Sequence, residues 1–373
     1  MTVRGSPGVV PRTGLPSTEE SMLTGRRTGV LLGILAFSAF ALAQQATTAP
    51  QPDAATDSGS RGISLDVVVT PRAGAPVAGL AEQDFTVLDN KVPQKITSFQ
   101  ALGGNAAPVQ VILVVDAVNT SYHNVGYERG EIDKFLRANG GRLAYPTALA
   151  VFTDTKTEIQ NGFSRDGNQL SVALDQYTVG VREITRSAGF YGAGDRLSLS
   201  IKALGELAAH ESALPGRKLV LWVSPGWPIL SGPDVQIDEQ DRQKIFRTIV
   251  GLSTDLRMDQ MTLYSIDPRG TEDAGGFSTF YYQSFLKGVR KPDQVEFGNL
   301  ALQVLATQTG GLVLNSSNDV AGLIEKAIAD AGAYYRLSFN PAPGEPDEYH
   351  QIEVKVAKPG LVARTRTGYY SQP

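Results

Sequence analysis

The chain has no cysteine among its 373 residues. That excludes disulfides, thiol nucleophiles, a lipid-modified cysteine anchor and cysteine-ligated zinc or iron–sulfur centres. Histidine occurs three times, at positions 123, 210 and 350, and no two copies form an H-E-x-x-H or similar ligand pair. His123 follows the first apolar strand of the central region, His210 sits on a helix with apolar neighbours, and His350 opens an edge-like strand. Structural or solvated roles are expected for all three. A dense Lys/Arg stripe is also missing. Lys287, Arg290 and Lys291 come nearest to one and read as an ordinary solvated loop, so nucleic acid is not an expected partner. The nucleophile pattern G-x-S-x-G fails at both Gly162–Asp166 and Gly276–Phe280. The glycine-rich stretch Gly189–Gly194 lacks both the order of a dinucleotide loop and the lysine of a phosphate loop, and is expected to be a flexible loop.

What is present begins near the N-terminus. Arg26-Arg27 precede an apolar run, Val30–Leu42, which ends in Ala41-Leu42-Ala43. A basic region, a short apolar region and an Ala-x-Ala site form the layout of a secretory signal peptide. The run falls short of the ~20 residues of a membrane-spanning helix, so no transmembrane segment is expected after cleavage. Residues 1–43 are therefore expected to comprise an over-called start, with Met22 as the true beginning, plus the signal peptide. An uncleaved anchor is the alternative. Residues 44–62 are mostly Ala, Thr, Pro, Gln, Asp and Ser, a composition that buries too little surface to order itself, and are expected to form a linker. Residues 1–43 hold four arginines and two glutamates, so the remainder carries 30 basic and 36 acidic residues, a net charge of −6.

About 310 residues remain, enough for one large domain and a smaller one. From Ile63 apolar and polar residues alternate (Ile63, Leu65, Val67, Val69), the period of a strand with one buried face. Phe85–Leu88 runs into the turn signal Asp89-Asn90-Lys91, and Ile96–Phe99 resumes an extended pattern. At the far end Ile352, Val354 and Val356 alternate with charge, and Pro359-Gly360 turns the chain into an extended stretch from Leu361 to Tyr370. The middle differs. Val111–Val115, Ala148–Phe152, Leu219–Val223, Thr262–Ile266 and Leu312–Leu314 are near-continuous apolar runs, as in parallel strands covered on both faces. Helical periods lie between them, at Leu197, Ile201, Leu204 and Ala208, and at Val320, Leu323, Ile324, Ala327 and Ile328. The expected architecture is α/β: a doubly wound, mostly parallel sheet over 108–332, inserted into a small antiparallel β-sandwich built from 63–107 and 333–373.

Three groups of segments carry a family resemblance. They are Asp84–Asn90 with Gln94–Phe99; Gly216–Gly226 with Ile266-Asp267-Pro268-Arg269-Gly270; and Tyr334–Phe339 with His350–Val356 and Arg366–Tyr370. Their order and spacing over 63–371 resemble the exported von Willebrand factor A-related proteins abundant in Acidobacteria. The resemblance implies a von Willebrand A-like fold, often the seat of a metal-ion-dependent adhesion site. That site opens with Asp-x-Ser-x-Ser and adds a Thr and an Asp from later loops. Here Asp116 and Thr120 match the first and last places, whereas Val118 stands at the middle Ser and offers no oxygen. The later Asp is replaced by Ser224-Pro225-Gly226, and the loop before Leu197 offers only Asp195. A hard ion such as Mg²⁺ wants about six oxygens, so the site is expected to be degenerate and no cofactor is assigned.

The expected function is a non-enzymatic binding module, exported to the periplasm, cell envelope or exterior, with a protein or cell-surface ligand. Ligands of such sheets bind at the carboxyl ends of the strands. Asn119, His123 and Trp227 are therefore candidate contacts, together with Phe280, Tyr281 and Tyr282 from the long Gly270–Glu296 connection. Those aromatics either meet a partner or pack down as a cover. Two alternatives stay open: Mg²⁺-dependent adhesion through Asp116 and Thr120, and a hydrolase using carboxylates such as Asp116 and Asp267.

Overall fold

The computed structural model describes residues 62–104, 108–177, 189–230, 236–270 and 281–372. The expected signal peptide and linker, the stretch 178–188, Phe280 and the side chain of His123 lie outside what is described. Among the described residues the chain first forms strands β1 (Ile63–Pro71), β2 (Phe85–Asp89), β3 (Val92–Gln94), β4 (Ile96–Gly103) and β5 (Val109–Asp116). Helix α1 (Tyr122–Arg137) leads to β6 (Arg142–Phe152), β7 (Thr157–Ile159) and β8 (Ser164–Asp166). Helices α2 (Gly167–Tyr177) and α3 (Gly189–Glu211) precede β9 (Arg217–Val223), α4 (Glu239–Met258) and β10 (Met261–Ile266). Then come α5 (Leu302–Gln308), β11 (Val313–Leu314), α6 (Val320–Ile328) and the strands β12 (Ala333–Phe339), β13 (Tyr349–Val356), β14 (Leu361–Arg364) and β15 (Gly368–Tyr370).

The apolar runs of the middle region build one sheet in the order β11-β10-β9-β5-β6-β7, with β8 also on β6. Strands β11, β10, β9, β5 and β6 pair in parallel; β7 and β8 are antiparallel additions. Alternation along β5 explains why both faces are dry. Ile112 and Val114 join a core with α3, α4 and α5. Val111, Leu113 and Val115 point the other way, into a core with α1, α2 and α6. Each such Val, Leu or Ile contributes about 1.5–3 kcal/mol when fully buried.

The chain ends form two antiparallel sheets, β14-β1-β12-β4 and β15-β13-β2-β3. Leu65, Val67, Phe85, Val87, Leu337, Ile352 and Val354 fill the space between them, so the β-sandwich expected of the flanks is present. Three details differ from the sequence reading. The extended stretch Leu361–Tyr370 is two strands in different sheets, because the residues between them turn inward and Thr365 Oγ1 donates to the Asp66 carbonyl (2.8 Å). His350 is not on an edge. β13 lies between β15 and β2, and His350 Nδ1 meets the buried Asp89 carboxylate at 2.9 Å. Gly189–Gly194 is no loop but the first turns of α3. Gly192 is buried and Ala193 packs on the core, so tertiary burial of this turn outweighs the low helix propensity of glycine.

Candidate functional site

The strand order reverses between β5 and β9. The chain leaves β5 toward β6 on one side and returns to β9 on the other, which makes the carboxyl ends of these two strands the switch point where such sheets bind ligands. Asp116 ends β5 there, with none of its surface exposed. Its Oδ1 accepts the backbone N–H groups of Val118 and Asn119, both at 2.9 Å. Its Oδ2 accepts Asn119 Nδ2 and Trp222 Nε1, both at 2.8 Å. Four N–H donors thus enclose the carboxylate. Burial nevertheless dominates and raises its pKa above the usual value, against the lowering effect of those bonds.

Asn119 faces inward and ties this cage to α3, its Nδ2 also donating to Ser200 Oγ at 2.9 Å. Across β9, Ser224 is fully buried and its Oγ accepts the N–H of Gly226 at 3.1 Å. Gly226 has φ +100°, a conformation that disfavours a β-carbon, and one placed there would sit 2.0 Å from Gln303 Nε2. Beneath the top of α1 lies a further carboxyl. Glu128 is wholly buried, and its pKa is raised well above the ordinary value, first by desolvation and then by the fields of Asp116 and Asp267. The Thr120 hydroxyl and the Arg269 charge work against that rise. Thr120 is itself buried, so it serves this inner acid rather than the surface.

Beside the switch point, above the carboxyl ends of β9, β10 and β11, a cleft of about 300 Å³ opens. Pro225, Trp227, Asp267, Arg269, Tyr281, Gln303 and Asn315 line it. Asp267 is clamped by Arg269, whose Nη2 lies 2.9 Å from Oδ2 and whose backbone N–H reaches Oδ1 at 3.0 Å. Trp227 is 3 % exposed and packs edge-on to Trp222 with ring centroids 5.0 Å apart. Among the described residues its indole N–H has no acceptor, and Gln303 Oε1 has no donor. Tyr281 is 44 % exposed and leans on Phe285 at 5.4 Å between centroids. Phe285 is buried, and Tyr282 packs with it against Ala301 and Val304. Of the aromatic connection, then, Tyr281 presents a ring at the cleft, and Tyr282 and Phe285 form part of the cover.

No protein-family model and no curated protein sequence matches this chain. Solved structures do align with it. The human COPII-coat protein Sec24c aligns at 9 % identity and TM-score 0.32, over 73 % of this chain and 44 % of the Sec24c chain. Manganese-loaded TRAP protein of Plasmodium vivax aligns at 10 % identity and TM-score 0.33, over 73 % and 98 %. The SpRpn10 VWA domain aligns at 13 % identity and TM-score 0.29, over 61 % and 98 %. This chain therefore spans less than half of the Sec24c chain it matches. Overlaps this loose carry no argument about function, and the assignment of architecture rests on strand order, parallel pairing and three helices on each face. The fold is von Willebrand A-like.

Within that fold the sequence candidates separate. Asp116, Asn119 and Thr120 gather around the switch point, and Trp227 and Tyr281 meet in the neighbouring cleft. Asp195 does not join them: it is an exposed residue inside α3 and not a loop ligand. The donor set at Asp116 does not fit a divalent ion. Both its oxygens already face N–H groups. Glu128 in α1 and Trp222 in β9 also belong to the switch point, and no local sequence pattern marks either.

Proposed function

We propose that this chain is an exported, metal-independent protein-binding module whose contact site is the cleft above β9–β11. One observation carries the reading: at the carboxyl ends of β9–β11, beside the switch point, a cleft of about 300 Å³ is lined by Pro225, Trp227, Asp267 and Gln303. Tyr281, exposed at the rim, adds the kind of aromatic surface that interfaces favour. Export rests on the basic–apolar–Ala-x-Ala layout ending at Ala43.

The reading is non-enzymatic because the two raised carboxyls, Asp116 and Glu128, are sealed from any substrate, while the carboxylate that reaches the cleft, Asp267, is held by Arg269. The test is site-specific photocrosslinking in the producing cell, with the crosslinker at Tyr281 and, as control, at the exposed Ala144 near the amino end of β6. The expected result is a discrete adduct from position 281 that forms equally in chelator and in Mg²⁺. Adducts that vanish in chelator, or that arise equally from position 144, contradict the proposal.

A further inference from the structure

Away from the cleft, where β1, β12 and β14 meet the amino ends of β9 and β10, five guanidinium groups gather around two carboxylates. Asp66 takes Arg336 at 2.8 Å and Arg217 at 3.7 Å. Asp330 takes Arg364 Nη2 and the Tyr264 hydroxyl at 2.6 Å, and its backbone carbonyl accepts from Arg217 Nη1 at 3.3 Å. Arg217 also lies 4.6 Å over the Tyr334 ring. Each of these three arginines has a defined partner.

Two do not. Arg366 is 8 % exposed, and neither it nor Arg257, at the end of α4, makes an ion pair among the described residues. Arg257 Nε is buried with no hydrogen-bond acceptor. Both border one hollow, and the Arg366 pKa falls to about 10, chiefly through burial and further through the charge of Arg257. Asp66 acts on Arg366 only through its field, its oxygens being taken by Arg336 and Arg217. Desolvated like charges of this kind are costly unless a counter-charge sits between them.

The geometry supplies room for one. Arg257 and Arg366 line a hollow of about 30 Å³ together with Asp66, Gln260, Ser64 and Thr262. A water needs roughly 10–15 Å³ of such space, so the hollow takes a monatomic anion or two waters and is too small for a multi-atom oxyanion. Thr309 and Thr365 also border it, but their hydroxyls donate elsewhere, to the carbonyls of Ala306 and Asp66. Ser64 is exposed, which gives the hollow a path to solvent, and Gln260 already holds Arg336 at 2.7 Å. We propose that Arg257 and Arg366 form a structural site for a small monovalent anion of the chloride type, which joins the β-sandwich to the parallel sheet.

The test compares thermal melts of the purified chain in sodium chloride and in sodium gluconate at equal ionic strength. Chloride at about four times its dissociation constant is expected to raise Tm by about 2–4 °C over gluconate, saturably. In Arg257→Gln the chloride increment is expected to disappear, with Tm in gluconate no lower than wild type. Equal melting in the two salts overturns the site, as does a chloride increment that survives in Arg257→Gln. Should that variant not fold, broadening of the ³⁵Cl resonance by the wild-type chain, reversed by bromide, supports the site, and its absence overturns it.

Discussion

Replacing Asp116 by Asn exchanges one carboxylate oxygen for an NH₂ group and tests whether the head of β5 is a hydrogen-bond cage or a metal ligand. The wild-type carboxylate accepts four N–H groups at 2.8–2.9 Å, two on each oxygen. An amide keeps one oxygen and turns an NH₂ toward the other two donors. Rotation of the Asn119 side chain relieves one conflict, since its own Oδ1 has no hydrogen-bond partner. The Trp222 indole N–H, buried against β5, is then left without an acceptor. A buried donor left unpaired costs about 1–3 kcal/mol, and hydrogen bonds to a charged group are each worth about 1.5–3 kcal/mol. The desolvation that raises the Asp116 pKa is relieved at the same time and offsets part of this, so a net loss of about 1–2 kcal/mol in the absence of any metal follows, or a fall in Tm of about 2–6 °C. Differential scanning calorimetry in chelator reads it directly, and Asp116→Ala, which strips all four bonds, is expected to fall further. A metal ligand behaves in the opposite sense: removing its charge from a metal-free protein leaves stability unchanged or raises it. An Asn variant as stable as wild type in chelator refutes the cage.

Two further outcomes follow. Glu128 has a folded pKa raised by burial, so its contribution to stability is fully present below its unfolded value and is lost as pH rises through the folded one. Glu128→Gln should therefore flatten the decline in stability above pH 4.5 and be more stable than wild type at pH 8; urea melts in which the variant loses as much stability between pH 5 and pH 8 as the wild type would contradict this. Arg217→Ala removes a guanidinium that is 1 % exposed and leaves the Asp330 carbonyl and one side of Asp66 unpaired. Breaking a buried pair in this way costs about 3–5 kcal/mol, which chemical denaturation should show as a drop in midpoint, whereas a loss under 1 kcal/mol would mean that the cluster contributes little.

The parallel sheet was legible because burial on both faces writes itself as unbroken apolar runs, and the sandwich because burial on one face writes itself as alternation. The start of α3 is not legible in the sequence, for a local reason. Six residues rich in glycine look like a loop until the sheet they pack against is known. At the site, Asp116 could be found from its place after an apolar strand, and the Val118 and Asn119 amides follow from the turn. Trp222 could not be paired with it, since that bond depends on the β5–β9 register, in which Val114 lies opposite Trp222. Glu128 was hidden by its neighbours. Tyr127-Glu128-Arg129-Gly130-Glu131 has the look of a solvated helix face, and only the packing of α1 over the sheet buries its second residue. The arginine cluster draws on residues from 66 to 366 that share no local pattern.

Calorimetric titration of the purified chain with Mg²⁺ and Mn²⁺, run beside Asp116→Ala, tests the metal-independent reading most directly. The account predicts no saturable heat tighter than about millimolar, the range in which extracellular ion-binding modules work, from a protein that melts cooperatively. Saturable binding in that range which disappears in Asp116→Ala would contradict it and would return the switch point to a metal-dependent contact.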